Sequence, residues 1–180
     1  ALPLNYLTAY SAVRQTARVR EGDRVLVTSA AGGVGLAAVQ LSRDAGAEVY
    51  ATASKPKHDF LAGQGVVGTV DSRSPQLADD IKSLKGHIDH VYHLAAVYDL
   101  SADEDSQVAV NIEGTRNMVE FAKAVDAGHV HHVSSIAAAG LYEGVFREDM
   151  FEEAEELDHP YYRTKHESEG IVRRECSRPW

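Results

Sequence analysis

Apolar and polar residues are laid out in blocks whose period switches between that of a helix and that of a strand. Tyr6, Leu7, Tyr10 and Val13 recur at helical spacing and predict a helix over 6–17 with one buried face. After the turn Glu21-Gly22-Asp23, a short apolar run predicts a strand over 24–28. A helix over 33–45 follows, closed by Gly46, then a strand over 47–52. Pro56 opens a helix over 56–64, and 66–70 reads as a third strand. Ser74-Pro75 starts a helix over 74–84. The nearly unbroken apolar run 88–95 predicts a strand covered on both faces. The longest helix is expected over 108–125, a fifth strand over 129–134, and a last helix over 161–175 beyond a glutamate-rich loop. Strands alternating with helices imply right-handed crossovers and an α/β fold, a doubly wound parallel sheet of about five strands in the order 3-2-1-4-5.

At 180 residues the pattern fits one domain over 1–180, with enough chain to bury a core. The net charge of −9 leaves no basic stripe for nucleic acid, though a local patch can still receive an anion. Cys176 is the only cysteine, which excludes a disulfide framework and fits a reducing cytoplasm. No apolar run is long enough for a membrane span. Both ends are read as cuts from something longer.

The run Val25-Leu-Val-Thr-Ser-Ala-Ala-Gly-Gly-Val-Gly35 changes the picture most. A strand ends, a turn of small residues follows, and a helix opens at once. This points backbone N–H groups and a helix N-terminus at one spot, which suits the diphosphate of a dinucleotide in a Rossmann-type fold. Ala30, Gly32, Gly33, Val34 and Gly35 are the expected contacts. The frame is imperfect: Ala30 stands where G-x-G-x-x-G begins, and Ser29 where T-G-x-x-G-x-x-G has its first glycine. The alternative is a tight strand-to-helix turn without ligand. At the end of strand 2, Ser54, Lys55 and Lys57 occur with no acid, so a 2′-phosphate is favoured and NADP(H) is expected over NAD(H). Asp71 ends strand 3 and either accepts from the adenine amino group or serves as a turn residue.

Tyr161 and Lys165 stand four apart and share a helix face. A lysine ammonium beside a phenol lowers the phenol's pKa and makes it a usable acid near neutrality. Strand 5 ends in Ser134-Ser135, where a hydroxyl can hold a carbonyl oxygen. The plain alternative is a surface helix start after His159-Pro160. No metal site is expected: His87, His90 and His93, and His129, His131 and His132, lie on strands whose consecutive residues face opposite sides. The acids of 148–156 read as a solvated loop over a cleft, and Cys176 as inert.

Residues 1 to about 73 resemble the zinc-free medium-chain reductases of the quinone oxidoreductase and polyketide enoyl reductase branch. The carriers are the segments 1–10, 30–40 and 47–54. That resemblance implies NADPH. From about Pro75 the chain resembles the extended short-chain dehydrogenases/reductases of the epimerase and acyl-thioester reductase groups. Here the carriers are His93-Leu-Ala-Ala96, Asn111-Ile-Glu-Gly-Thr-Arg-Asn117, Val133-Ser-Ser135 and Tyr161-Tyr-Arg-Thr-Lys165. This second resemblance implies a catalytic set of Ser135, Tyr161 and Lys165, with Ser134 as substitute for Ser135. It also implies cofactor contacts at Lys165, Ala95 and Ala96, and a structural Asn111. The chain lacks the first family's amino-terminal barrel and the second family's own glycine turn, sixth strand and carboxy-terminal region.

A recombined or engineered chimera joined near residues 72–84 is the expected origin, with a natural fusion fragment as the competitor. Three functions follow: a working NADPH-dependent carbonyl or acyl-thioester reductase, a hybrid with cofactor affinity and little turnover, or a structural chimera that no longer binds. The second is the expectation. Helix faces over 108–125 and 161–175 are expected to pair two chains in a homodimer.

Overall fold

The computed structural model describes residues 2–74, 79–80, 87–97 and 101–180. Its five strands form one sheet in the order β3-β2-β1-β4-β5, with β1 Arg24–Val27, β2 Glu48–Ala53, β3 Gly68–Asp71, β4 His90–His93 and β5 His129–His132. The expected doubly wound α/β plan is what the chain adopts. β1 lies between β2 and β4 and runs parallel to both, with Val25 opposite Val49 on one side and His90 on the other. Val25, Leu26 and Val27 are wholly buried, which explains the short apolar run of β1. Each contributes about 1.5–3 kcal/mol of burial.

The helices are α1 Leu2–Tyr10 continuing into a π-helical segment Ser11–Thr16, α2 Gly33–Asp44, and α3 His58–Gly63 behind a 3-10 turn Lys55–Lys57. Next come α4 Glu104–Gln107, a π-helical segment Val108–Glu113, α5 Gly114–Ala124 and α6 Pro160–Glu175. The helix expected over 74–84 falls outside the described residues except at 74, 79 and 80. Two compact units emerge. One holds Ala1–Leu94, Phe121–His131 and Arg178–Trp180, and the other Ala95–Glu120 and His132–Ser177.

Several boundaries differ from the sequence reading for local reasons. The first helix buries Ala9 and Val13, while Tyr6, Leu7 and Tyr10, expected inside, are exposed. It lies against α2, with Asn5 over Gly33, Tyr6 bonded to Gln40 and Arg14 paired with Asp44. Small Ala9 permits that approach; the larger residues are turned outward. Strand β4 stops at His93 because the N–H of Leu94 leaves the ladder for Thr28 Oγ1 at 3.0 Å. The long helix begins four residues earlier than 108, where Asp103 caps it by accepting from the Ser106 amide at 2.8 Å. Gly46, at φ +85, closes α2 as its C-terminal glycine. On the outer edge of β5, the N–H of Val130 bonds the carbonyl of Pro179 at 2.8 Å, and Arg178 reaches Ala127 and Asp126.

Candidate functional site

In the first unit, the site begins where β1 turns into α2. Thr28 continues the ladder to Tyr92, and Ala30, fully buried, donates its N–H to Thr52 of β2 at 3.2 Å. Ala30 therefore ties the turn to the sheet and is not an open contact. Gly32 donates inward to the Ser29 carbonyl at 2.9 Å, so its amide is occupied within the turn. Gly32 and Gly33 are exposed, Val34 is half-buried and Gly35 is buried. No side chain caps α2, whose amides from Gly33 to Gly35 begin the helix. A Cβ on Gly35 would stand 2.3 Å from the Ser29 carbonyl oxygen, and one on Gly33 would strike the Asn5 amide. The corner thus has bare backbone, an uncapped helix start and no room for side chains, which fits a diphosphate. Ser29 sits at φ 49, the left-handed region glycine favours, at the position where the motif has glycine.

Lys55 and Lys57 are exposed on the turn after β2, and Ser54 accepts the Lys57 amide through its carbonyl at 2.9 Å. Both ammonium groups are open to a phosphate. His58, which the sequence reading did not single out, bonds the Ala53 carbonyl at 3.0 Å and fixes this corner. Asp71 accepts from the Arg73 amide at 3.1 Å, the turn role that was its alternative.

In the second unit, α6 starts at Pro160 with His159 as its cap, the imidazole accepting from the Tyr161 amide at 3.1 Å. This start places Tyr161 and Lys165 on one face. The Tyr161 hydroxyl lies 3.4 Å from Ser135 Oγ, and Lys165, only 3% exposed, donates from Nζ to the Val133 carbonyl at 3.3 Å. Burial lowers the pKa of Lys165, with the nearby Glu169 carboxylate opposing that fall. Ser134, the alternative serine, instead donates to Glu169 at 2.7 Å. The structure therefore brings Ser135 and Tyr161 together, bonds Lys165 to Val133 two residues before that serine, and turns Ser134 elsewhere.

Ala95 and Ala96 are half-buried on the segment leaving β4. Just beyond them, the Asn111 side chain accepts from the Val97 amide at 2.8 Å and donates to its carbonyl at 3.2 Å. It also donates to Thr164 at 3.1 Å, next to Lys165. The π-helical segment that carries Asn111 was missed. Where it passes into α5, the Thr115 hydroxyl donates to the Asn111 carbonyl at 2.6 Å.

The histidines pack against one another on the strands. His90, His129 and His131 gather on one face because alternate residues of adjacent strands point the same way, and His90 Nδ1 lies 3.0 Å from His131 Nε2. Burial, with His90 and His129 alongside, pushes His131 down to about 4. Among the described residues, no group of three or more His, Cys, Asp or Glu is placed to hold a metal. The acidic loop is also more than solvated surface, since Phe151 stacks on His166 at 4.2 Å and Arg173 covers Phe151. Beside it, Asp149, Glu152, Glu153, Arg173 and Arg174 line a cavity of about 310 Å³ that holds none of the serine–tyrosine–lysine set. No helix among the described residues is long and apolar enough to cross a membrane.

Comparison with known proteins adds three findings. A model of an NAD-binding family described as male sterility protein matches residues 65–179. A mycocerosic acid synthase-like polyketide synthase of Mycobacterium tuberculosis is 45% identical over 76 residues, 42% of this chain and 4% of its own length. The spectinabilin polyketide synthase system protein NorB of Streptomyces orinoci is 52% identical over 66 residues, 37% of this chain and 3% of its own length. The chain thus spans a few per cent of these relatives. Among solved structures, a UDP-glucuronic acid 4-epimerase mutant from Bacillus cereus, in complex with NAD and a fluorinated sugar nucleotide, superposes with TM-score 0.65. It is 24% identical, over 83% of this chain and 51% of that one. CurK enoyl reductase superposes with TM-score 0.57 at 24% identity, over 99% and 52%. Both likenesses speak to the fold.

Proposed function

We propose a function that starts from an established membership: the chain belongs to the NAD-binding male sterility protein family and is an NAD(P)-binding Rossmann domain. Residues 1–180 serve as one dinucleotide-binding domain with NADP(H)-dependent reductase chemistry of the short-chain type, acting on a carbonyl or acyl thioester with weak turnover. A full-rate reductase is the second reading. It is favoured by the completeness of the serine–tyrosine–lysine set.

One observation carries the reductase reading: Ser135 and Tyr161 present two hydroxyls 3.4 Å apart beside buried Lys165. Ser135 donates to the substrate's carbonyl oxygen and Tyr161 delivers a proton to that oxygen as it gains charge. Lys165 brings a positive charge and hydrogen-bond donors to the same face. The bound dinucleotide supplies the hydride. Its diphosphate is held by the amides of Gly33, Val34 and Gly35, while Ser54, Lys55 and Lys57 favour the 2′-phosphate of NADP(H).

The decisive test is NADPH oxidation with a panel of aldehydes, ketones and thioesters. Tyr161→Phe is expected to lower turnover about 100- to 10,000-fold; unchanged slow turnover would remove the reductase reading. Replacing both Lys55 and Lys57 by alanine is expected to weaken NADPH binding about tenfold and leave NADH alone. Equal loss for both nucleotides would sink the preference.

Two further proposals concern origin and assembly. The halves derive from recombination between a medium-chain and a short-chain reductase, a reading supported by a family match that begins at residue 65 and by polyketide synthase relatives matching under half the chain. Natural chains aligning end to end across both halves would refute it. The chain works as a soluble cytoplasmic homodimer; sedimentation showing monomer alone at high concentration speaks against the pairing.

A further inference from the structure

The segment leaving β5 is joined to α6 at three consecutive residues. The Val133 carbonyl accepts from Lys165 Nζ at 3.3 Å, Ser134 Oγ donates to Glu169 Oε2 at 2.7 Å, and Ser135 Oγ lies 3.4 Å from the Tyr161 hydroxyl. Their helical partners, Tyr161, Lys165 and Glu169, follow one another at four-residue steps along one face. Two members of this row belong to the proposed reaction set. The third has no role there.

We propose that Glu169 is a positioning residue for Ser135, Tyr161 and Lys165: it holds Ser134 turned to the helix and supplies the counter-charge for the Lys165 ammonium. The inference rests on the reductase reading for its functional meaning, and on the hydrogen bonds above for its geometry. Arg173 donates from Nε and Nη2 to Glu169 Oε1 at 3.0 and 2.8 Å, which fixes the carboxylate and leaves Oε2 to Ser134. The pair is partly buried, with Glu169 18% exposed, so its charge is less screened than that of a surface ion pair. A buried ammonium needs such a partner, because burial alone disfavours its charged form.

Most other charged groups around α6 are engaged elsewhere. On the packed helices, Glu104 pairs with Arg163, Glu113 with Arg116, and Asp103 caps its own helix, while Asp105 is exposed in the first turn of α4. On α6 itself, Glu167 approaches Arg163, Glu175 approaches Arg116, and His166 bonds the Ala138 carbonyl. His132 is the titratable group that precedes Val133 on the strand.

Glu169→Gln separates the two tasks, since the amide can still accept from Ser134 but carries no charge. The experiment follows the Lys165 side chain by NMR titration in the full chain, its resonance identified with Lys165→Arg, alongside the pH profile of NADPH oxidation. Glu169→Gln is expected to lower the Lys165 midpoint by about one pH unit and to move the lysine-dependent limb of the profile with it. Glu169→Asp is expected to restore part of the shift. A Lys165 midpoint identical in Glu169→Gln and the parent overturns the proposal. A parent chain without turnover would sink the reductase reading, while the titration would still decide whether Glu169 sets the charge of Lys165.

Discussion

The glycine corner at the head of α2 and the serine–tyrosine–lysine face of α6 are built on opposite principles. The corner recognises through main chain, and its side chains matter by being absent. Every functional contact on α6 is a side chain, held by hydrogen bonds to a strand end more than twenty-five residues away in sequence. One site therefore fails when a carbon is added and the other when an oxygen is removed. Additions at the corner strain the fold itself, whereas subtraction on α6 is expected to spare the fold and strike the chemistry.

The strongest way to break this contrast is Gly35→Ala. The new methyl would stand 2.3 Å from the Ser29 carbonyl oxygen and 2.9 Å from Ala30 Cα, both backbone atoms that cannot swing aside. A loss of about 3 kcal/mol or more is expected in denaturant unfolding. Tyr161→Phe in the same assay should change stability by no more than about 0.5 kcal/mol. Comparable losses in the two variants would erase the distinction.

Acid provides a second probe, confined to the unit that holds the sheet. His131 has its pKa lowered from 6.5 to about 4, mainly by burial and then by His90 and His129. It is neutral in the fold and gains a proton when the chain unfolds, so below pH 6.5 the unfolded chain binds more protons and stability falls. Between pH 6.5 and 4 the loss should reach about 2–3 kcal/mol, read as a falling midpoint in urea titrations at stepped pH. His131→Gln should flatten that slope; an unchanged slope would show that other groups carry it.

The smallest effect sharpens the account of the corner. Ser29 is exposed yet held at φ 49, so its side chain adds backbone cost without buried contacts. Ser29→Gly should raise stability by about 0.5–1 kcal/mol. A decrease in the unfolding midpoint would mean that the serine hydroxyl makes a contact worth more than the strain.

Much of this was legible before any coordinates. The strand order came from alternating elements, and the corner from a run of eleven residues in which strand, turn and helix are contiguous. Other features were hidden because they depend on partners distant in sequence. Leu7 and Tyr10 look like core on a helical wheel, yet the close approach of α1 to α2 favours Ala9 and exposes the larger residues. The early start of the long helix was readable in Asp103 and the acids that follow, a capping pattern passed over in favour of apolar periodicity. The two-residue step from His129 to His131 was legible as one strand face, but strand register alone sets His90 beside His131.

Sequence by itself determined the period of each element, the small-residue turn and the four-residue step from Tyr161 to Lys165, because these depend on neighbours along the chain. Tertiary structure decided which serine meets Tyr161. Ser134 and Ser135 are equivalent as letters, but beyond the end of β5 Glu169 on α6 engages the first, while the second accepts the Ala137 amide and lies against the tyrosine.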